Sequence, residues 1–124
     1  MSQSPIFVKT YDMLLWLIPK TLKFPREQRF IMARQVQESA FQFQSYLIES
    51  ASLPSENRRD KLALLHKADA ELTKLRLHLR LCHDLGLLEA SSHHHVSLLV
   101  DEVGRLLGGW LKSAGGKSTP ESGI

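Results

Sequence analysis

Residues 55–86 read SENRRDKLALLHKADAELTKLRLHLRLCHDLG, and the spacing of apolar side chains in this stretch decides the fold. Leu65, Ala68, Leu72, Leu75, Leu79 and Cys82 recur at three- and four-residue steps, the spacing that lines one face of an α-helix. Ala63, Ala70, Leu77, Leu81 and Leu88 form a second series, which a rotation of about 100° per residue carries to nearly the opposite side. The pattern predicts a helix of about eight turns, from Ser55–Glu56 to about Leu85, with Gly86 as its left-handed cap. One apolar stripe suits an intramolecular core. The other calls for a second surface, a copy of the chain or another partner, because contiguous apolar surface is seldom left in water. Burial on several sides within a compact bundle is the plainer alternative.

Working outward, Ser4 and Pro5 announce an earlier helix, an N-cap residue followed by proline at the first helical position. It is expected to run to about Leu22, with Phe7, Tyr11, Leu14, Ile18 and Leu22 on its main face, Ile6, Met13 and Leu17 off it, and Pro19 tightening the last turn. Pro25 restarts the chain, and Arg26 to about Ala51 reads as a second helix with Ala33, Val36, Ala40, Phe43 and Leu47 inward. Residues 52–55 form a loop. On the C-terminal side Ser91 and Ser92 are expected to cap a last helix carrying Val96, Leu99, Val103, Leu106 and Trp110, with Gly108 and Gly109 allowing close packing beside the indole. No stretch alternates as a strand would. Short links between long amphipathic helices predict an all-α fold, an up-down-up-down antiparallel four-helix bundle over residues 1–113. Residues 114–124, rich in Gly, Ser and Thr, are expected to be a disordered tail.

The chain has 124 residues, 43% hydrophobic and 23% charged, ordinary for a single globular domain with a real core. Its one cysteine, Cys82, makes no intrachain disulfide and continues the core stripe, so a buried thiol is favoured over a nucleophile. Lys9 and Asp12 interrupt the apolar start of the chain, and no stretch reaches the roughly 18 uncharged apolar residues of a membrane span. A soluble, cytoplasmic protein without a membrane partner is expected.

The motifs of catalysis are missing: there is no Gly-rich phosphate loop, nucleophile elbow or paired-carboxylate constellation. His93, His94 and His95 diverge by about 100° each on a helix, and His66, His78 and His83 have no members three or four apart, so neither group makes a metal site. No catalytic residue, metal or cofactor is expected. Lys and Arg total 16 against 13 acidic residues, for a net charge of +3, a mild bias compatible with polyanion binding. Placement has to decide. Arg58, Arg76 and Arg80 line one flank of the 55–86 helix and Lys67 and Lys74 the other, interspersed with Asp60, Asp69 and Glu71. A solvated face laced with salt bridges explains that pattern as well as a binding surface does. A second cluster, Lys20, Lys23, Arg26 and Arg29 with Arg34 farther on, surrounds the first loop. Trp16, near Lys9, Lys20 and Lys23, suits a subunit interface, with base stacking as the alternative.

Two segments are specific enough to name a family. FPREQRFIMARQVQESAFQF (residues 24–43) and VGRLLGGWLKS (residues 103–113) resemble the accessory variability determinant (Avd) proteins of diversity-generating retroelements. The resemblance extends over nearly the whole helical part of the chain. The wider family includes four-helix-bundle proteins encoded in intervening sequences of ribosomal RNA genes. The resemblance implies a homopentameric barrel with no catalytic centre, whose positive surface binds nucleic acid and the retroelement reverse transcriptase in support of template-primed cDNA synthesis. It places Arg105 among the family-like basic positions, beside Arg34, Arg58, Lys67, Lys74, Arg76 and Arg80 as candidate contacts to RNA, DNA or the transcriptase. Ala70, Leu77, Leu81 and Trp16 are the candidate oligomer interface. A ribosomal-intervening-sequence type bundle, or a purely structural oligomer, remains the alternative.

Overall fold

Proline at the first helical position has no N–H to leave unpaired, and Pro5 opens α1 (Pro5–Leu22) in the computed structural model, which describes residues 4–115. The Ser4 carbonyl accepts the Phe7 amide at 3.0 Å, while the Ser4 hydroxyl makes no cap bond. Pro19 lies inside α1 without ending it. After the turn at Phe24, Arg26–Gln28, a π-helical turn Arg29–Ala33 and Arg34–Ser52 run on as one helix, α2. Next come α3 (Arg58–Asp84) and α4 (Ala90–Gly115). The described residues hold these four helices and no strand, and no helix among them is long and apolar enough to cross a membrane.

The inward stripes of α2 and α3 are those the spacing predicts. Ala33, Val36, Ala40, Phe43 and Leu47 are buried on α2, and Leu65, Ala68, Leu72, Leu75, Leu79 and Cys82 on α3. On α4 the buried line is Val96, Val100, Val103 and Leu107, with Leu99, Leu106 and Trp110 only partly covered. The face expected for α1 is corrected. Ile6, Thr10, Met13, Leu14, Leu17 and Thr21 are buried, whereas Tyr11 and Leu22 are exposed. Helix α1 carries two apolar arcs side by side, and the one that packs is disguised in the sequence by its two threonines. Thr21 earns its place by bonding: its hydroxyl donates to the Ile18 carbonyl (2.7 Å) and accepts from Gln37 Nε2 (2.8 Å) across to α2.

The helix ends show where the chain turns. Lys61 Nζ donates to the Ser50 and Leu53 carbonyls (2.7 and 3.1 Å) where α2 ends, the Ser50 carbonyl also accepting the Leu53 amide (3.3 Å). Gly86, at φ +82°, terminates α3: the Leu87 amide donates to the Cys82 carbonyl (2.8 Å) and the Gly86 amide to the His83 carbonyl (2.9 Å), a Schellman pair. Leu88, expected on the outer stripe of α3, falls beyond the helix in this connection and is buried. Ser91 and Ser92 lie within the first turn of α4 and do not precede it. The close helix contact expected at Gly108 and Gly109 is at Gly104 instead. A Cβ there would stand 2.6 Å from Arg76 Nη2, while nothing lies within 4 Å of a Cβ at 108 or 109. The tail expectation for 114–124 meets helix at Ala114 and Gly115, and residues 116–124 lie outside the described part.

Helix α1 packs on α2 and α4, α2 also on α3, and α3 also on α4, which leaves α1 and α3 on a diagonal. Contacts fix the neighbours: Phe7 meets Trp110 (centroids 5.9 Å), Trp16 meets His95 (5.0 Å), Ser39 meets His78 (3.4 Å), and His83 stacks on His93 (4.9 Å). Two glycines give opposite predictions. Gly86→Ala forces a Cβ into the left-handed region and should destabilise the fold by about 1–2 kcal/mol. Gly108→Ala, in open space within a helix, should stabilise it by about 1 kcal/mol. Urea unfolding followed by helical circular dichroism, at fixed protein concentration, checks both signs.

Candidate partner-binding surfaces

The outer face of α3 is apolar and uncovered among the described residues. Leu77 is 60% exposed and Leu81 45%, Leu85 continues the line, and Ala63 and Ala70 precede it on the same face. These positions follow at steps of seven, seven, four and four residues, opposite the buried stripe. Trp16 is placed differently. It is half-buried on the α4 side of α1, against His95 and beneath Lys20, whose Nζ lies 5.3 Å from the ring centre.

Each basic side chain named above as a candidate contact to RNA or the transcriptase has a definite partner. Arg34 pairs with Glu38 (3.1 Å), Lys74 with Glu71 (3.3 Å), Arg80 with Asp84 (4.0 Å) and Arg105 with Glu102, all within one or two turns of their own helix. Lys67 sits 6.0 Å over the Tyr46 ring. Two arginines tie helices together. Arg76 reaches Asp101 on α4 through the notch that Gly104 leaves open, and Arg58 donates to the Ala114 carbonyl (2.8 Å) and the Gly115 carbonyl at the end of α4. Cations are favoured at that end of a helix, where carbonyls point outward unpaired.

The corner between α1 and α2 is different. Lys20, Lys23, Arg26 and Arg29 form no ion pair among the described residues; Arg29 Nε donates to the Phe24 carbonyl at 3.0 Å. The π-helical turn inserts one residue per turn relative to an α-helix, so Met32 and Ala33 point inward while Phe30, 77% exposed, and Ile31 stand in solvent. An open groove of about 290 Å³ lies here, lined by Leu22, Arg29, Phe30 and Arg34 among others. The sequence signal for this site was the run Phe30-Ile31-Met32, three consecutive apolar residues that no single helix face can bury.

The histidines diverge: His93 stacks on His83, His95 turns to Trp16, and His94 is exposed. Among the described residues no group of three or more His, Cys, Asp or Glu side chains is placed to hold a metal ion.

The family model described as bAvd-like matches residues 6–114, from the first turn of α1 to the last turn of α4. The chain belongs to the bAvd-like family. A search of curated proteins gave no match. The outer stripe of α3, the corner cluster and the Arg76–Gly104 notch all fall within the span that this bAvd-like chain shares with its family model.

Cys82 is fully buried, and burial pushes its thiol up to about 11. The thiolate is the reactive form. A thiol-specific probe at pH 8 should therefore modify the native chain only as fast as it opens, and modify it promptly in denaturant; prompt reaction of the native chain would contradict this placement.

Proposed function

We propose that this chain is the non-catalytic accessory subunit of a diversity-generating retroelement. It forms a homo-oligomer, a pentamer, of up-down-up-down antiparallel bundles in the cytoplasm. This scaffold holds the reverse transcriptase and its template RNA, with DNA as a further ligand of the same phosphate chemistry, during mutagenic cDNA synthesis. The bAvd-like match over residues 6–114 is the observation that carries this reading. The antiparallel order is supported by contacts between neighbouring helices that run in opposite senses: Ser50 with Lys61 and Ser39 with His78 across α2 and α3, Phe7 with Trp110 and Trp16 with His95 across α1 and α4, and His83 at the end of α3 with His93 at the start of α4.

The chemistry is attraction and positioning. Cations without a carboxylate partner at the α1–α2 corner attract phosphates, and repetition around a ring enlarges the positive field. Phe30 offers an exposed ring, and stacking of a base on such a face contributes about 1–3 kcal/mol. Arg34, Lys67, Lys74, Arg80 and Arg105 extend the surface. The intrahelical pairs of Arg34, Lys74, Arg80 and Arg105 contribute only about 0.3–0.5 kcal/mol each, little enough to be exchanged for a phosphate. Arg58 and Arg76 act through the architecture they tie together.

Lys23 and Arg26 are exposed and form no ion pair among the described residues, so Lys23→Glu with Arg26→Glu should leave the fold intact. Binding of the template RNA should weaken by about 10-fold or more at about 0.1 M salt. The slope of log affinity against log salt should become shallower, each lost contact to a single strand removing about 0.7. Unchanged affinity for both RNA and transcriptase would contradict the reading.

A further inference from the structure

We infer that the α1–α2 corner selects single-stranded over double-stranded RNA, because Phe30 and Phe41 on α2 present bare ring faces that only unpaired bases can meet. The inference rests on the phosphate-binding role proposed above for this corner and adds what the site discriminates. Phe30 is 77% exposed and Phe41 48%. Eleven residues apart on α2, they stand about 15 Å from each other along the helix. Two open grooves join them into one track: Arg29 and Phe30 line the first, Phe41 lines the second, and Arg34 and Gln37 line both. Trp16 is less available for stacking, since its ring already meets His95 and Lys20.

Charge selects a polyanion for this track. Residues 20–34 hold five cations against one acidic residue, Glu27. Four of the five, Lys20, Lys23, Arg26 and Arg29, form no ion pair among the described residues, and the fifth, Arg34, has only its exposed pair with Glu38. An apolar protein surface laid over the track would strip water from these cations without giving them a counter-charge. A duplex would satisfy them with its phosphates, but its bases face one another and leave both rings in water. A single strand does both, placing phosphates on the cations and base faces on the rings. A template must be unpaired to be copied, so this selectivity presents the RNA in the form a polymerase reads.

Fluorescence anisotropy of the full chain tests this, with a mixed-sequence RNA of about 20 nucleotides that cannot pair with itself and with the blunt duplex of the same sequence, at about 0.1 M salt. The wild type should prefer the single strand, although the duplex carries the denser charge. Phe30→Ala and Phe41→Ala should each weaken single-strand binding by about 5-fold or more. Neither should alter duplex binding or the salt slope, because a lost stacking contact releases no counterions. Phe30→Tyr should restore the affinity and Phe30→Leu should not, which separates a ring face from a merely apolar contact. Helical circular dichroism confirms that each variant, altered only at an exposed position, is folded. Duplex binding as tight as single-strand binding in the wild type, unchanged single-strand binding by either alanine variant, or rescue by leucine overturns the selectivity. The phosphate reading then still stands if Lys23→Glu with Arg26→Glu weakens binding of both RNAs. A wild-type chain that binds neither RNA overturns both.

Discussion

An α-helix turns by about 100° per residue, so the apolar side chains of α3 cannot all reach one core. Leu65, Leu72, Leu75 and Leu79 point into the bundle, and Leu77, Leu81 and Leu85 point away from it. Burying a leucine side chain contributes about 1.5–3 kcal/mol, which fixes the rotation of α3 and, with it, the seats of α2 and α4. The same rotation leaves the outer leucines for another surface. The exposed apolar arc of α1 has the same origin, because a helix with two apolar sides at the edge of a four-helix layout can bury only one.

Charge follows from that packing. Arg76 lies across Gly104 to Asp101, and Arg58 closes the last carbonyls of α4, so both spend their donors inside the chain. Lys61 does the same at the end of α2. Four cations without a carboxylate partner among the described residues, Lys20, Lys23, Arg26 and Arg29, cluster where α1 turns into α2, beside the π-helical turn that holds Phe30 and Ile31 outward. Net charge of +3 understates this local field, because residues 20–34 hold five cations, Lys20, Lys23, Arg26, Arg29 and Arg34, against one acidic residue, Glu27.

The periodic features were legible in the sequence. The stripes of α2 and α3 and the Gly86 cap followed from spacing and from a residue that tolerates positive φ. The inward face of α1 did not, since Thr10 and Thr21 count as polar until their burial and the bond to Gln37 are known. Gly104 was passed over for Gly108-Gly109 because adjacency in sequence says nothing of which helix passes nearby. The π-helical turn has no spacing signature beyond the misfit of Phe30-Ile31-Met32. Of the candidate site, residue types and flanks could be read. Which arginines are tied to distant groups of their own chain could not, because Arg58 and Arg76 find their partners 56 and 25 residues away.

The central claim is that α3 is covered on both sides in the working protein. Hydroxyl-radical footprinting of the wild-type chain measures it directly, with the exposed Leu98 of α4 as the reference for an uncovered leucine. The account predicts that Leu77 and Leu81 are protected nearly as well as Leu72 and Leu75, and gain labelling on dilution. Labelling of Leu77 and Leu81 as fast as Leu98, independent of concentration, would contradict it.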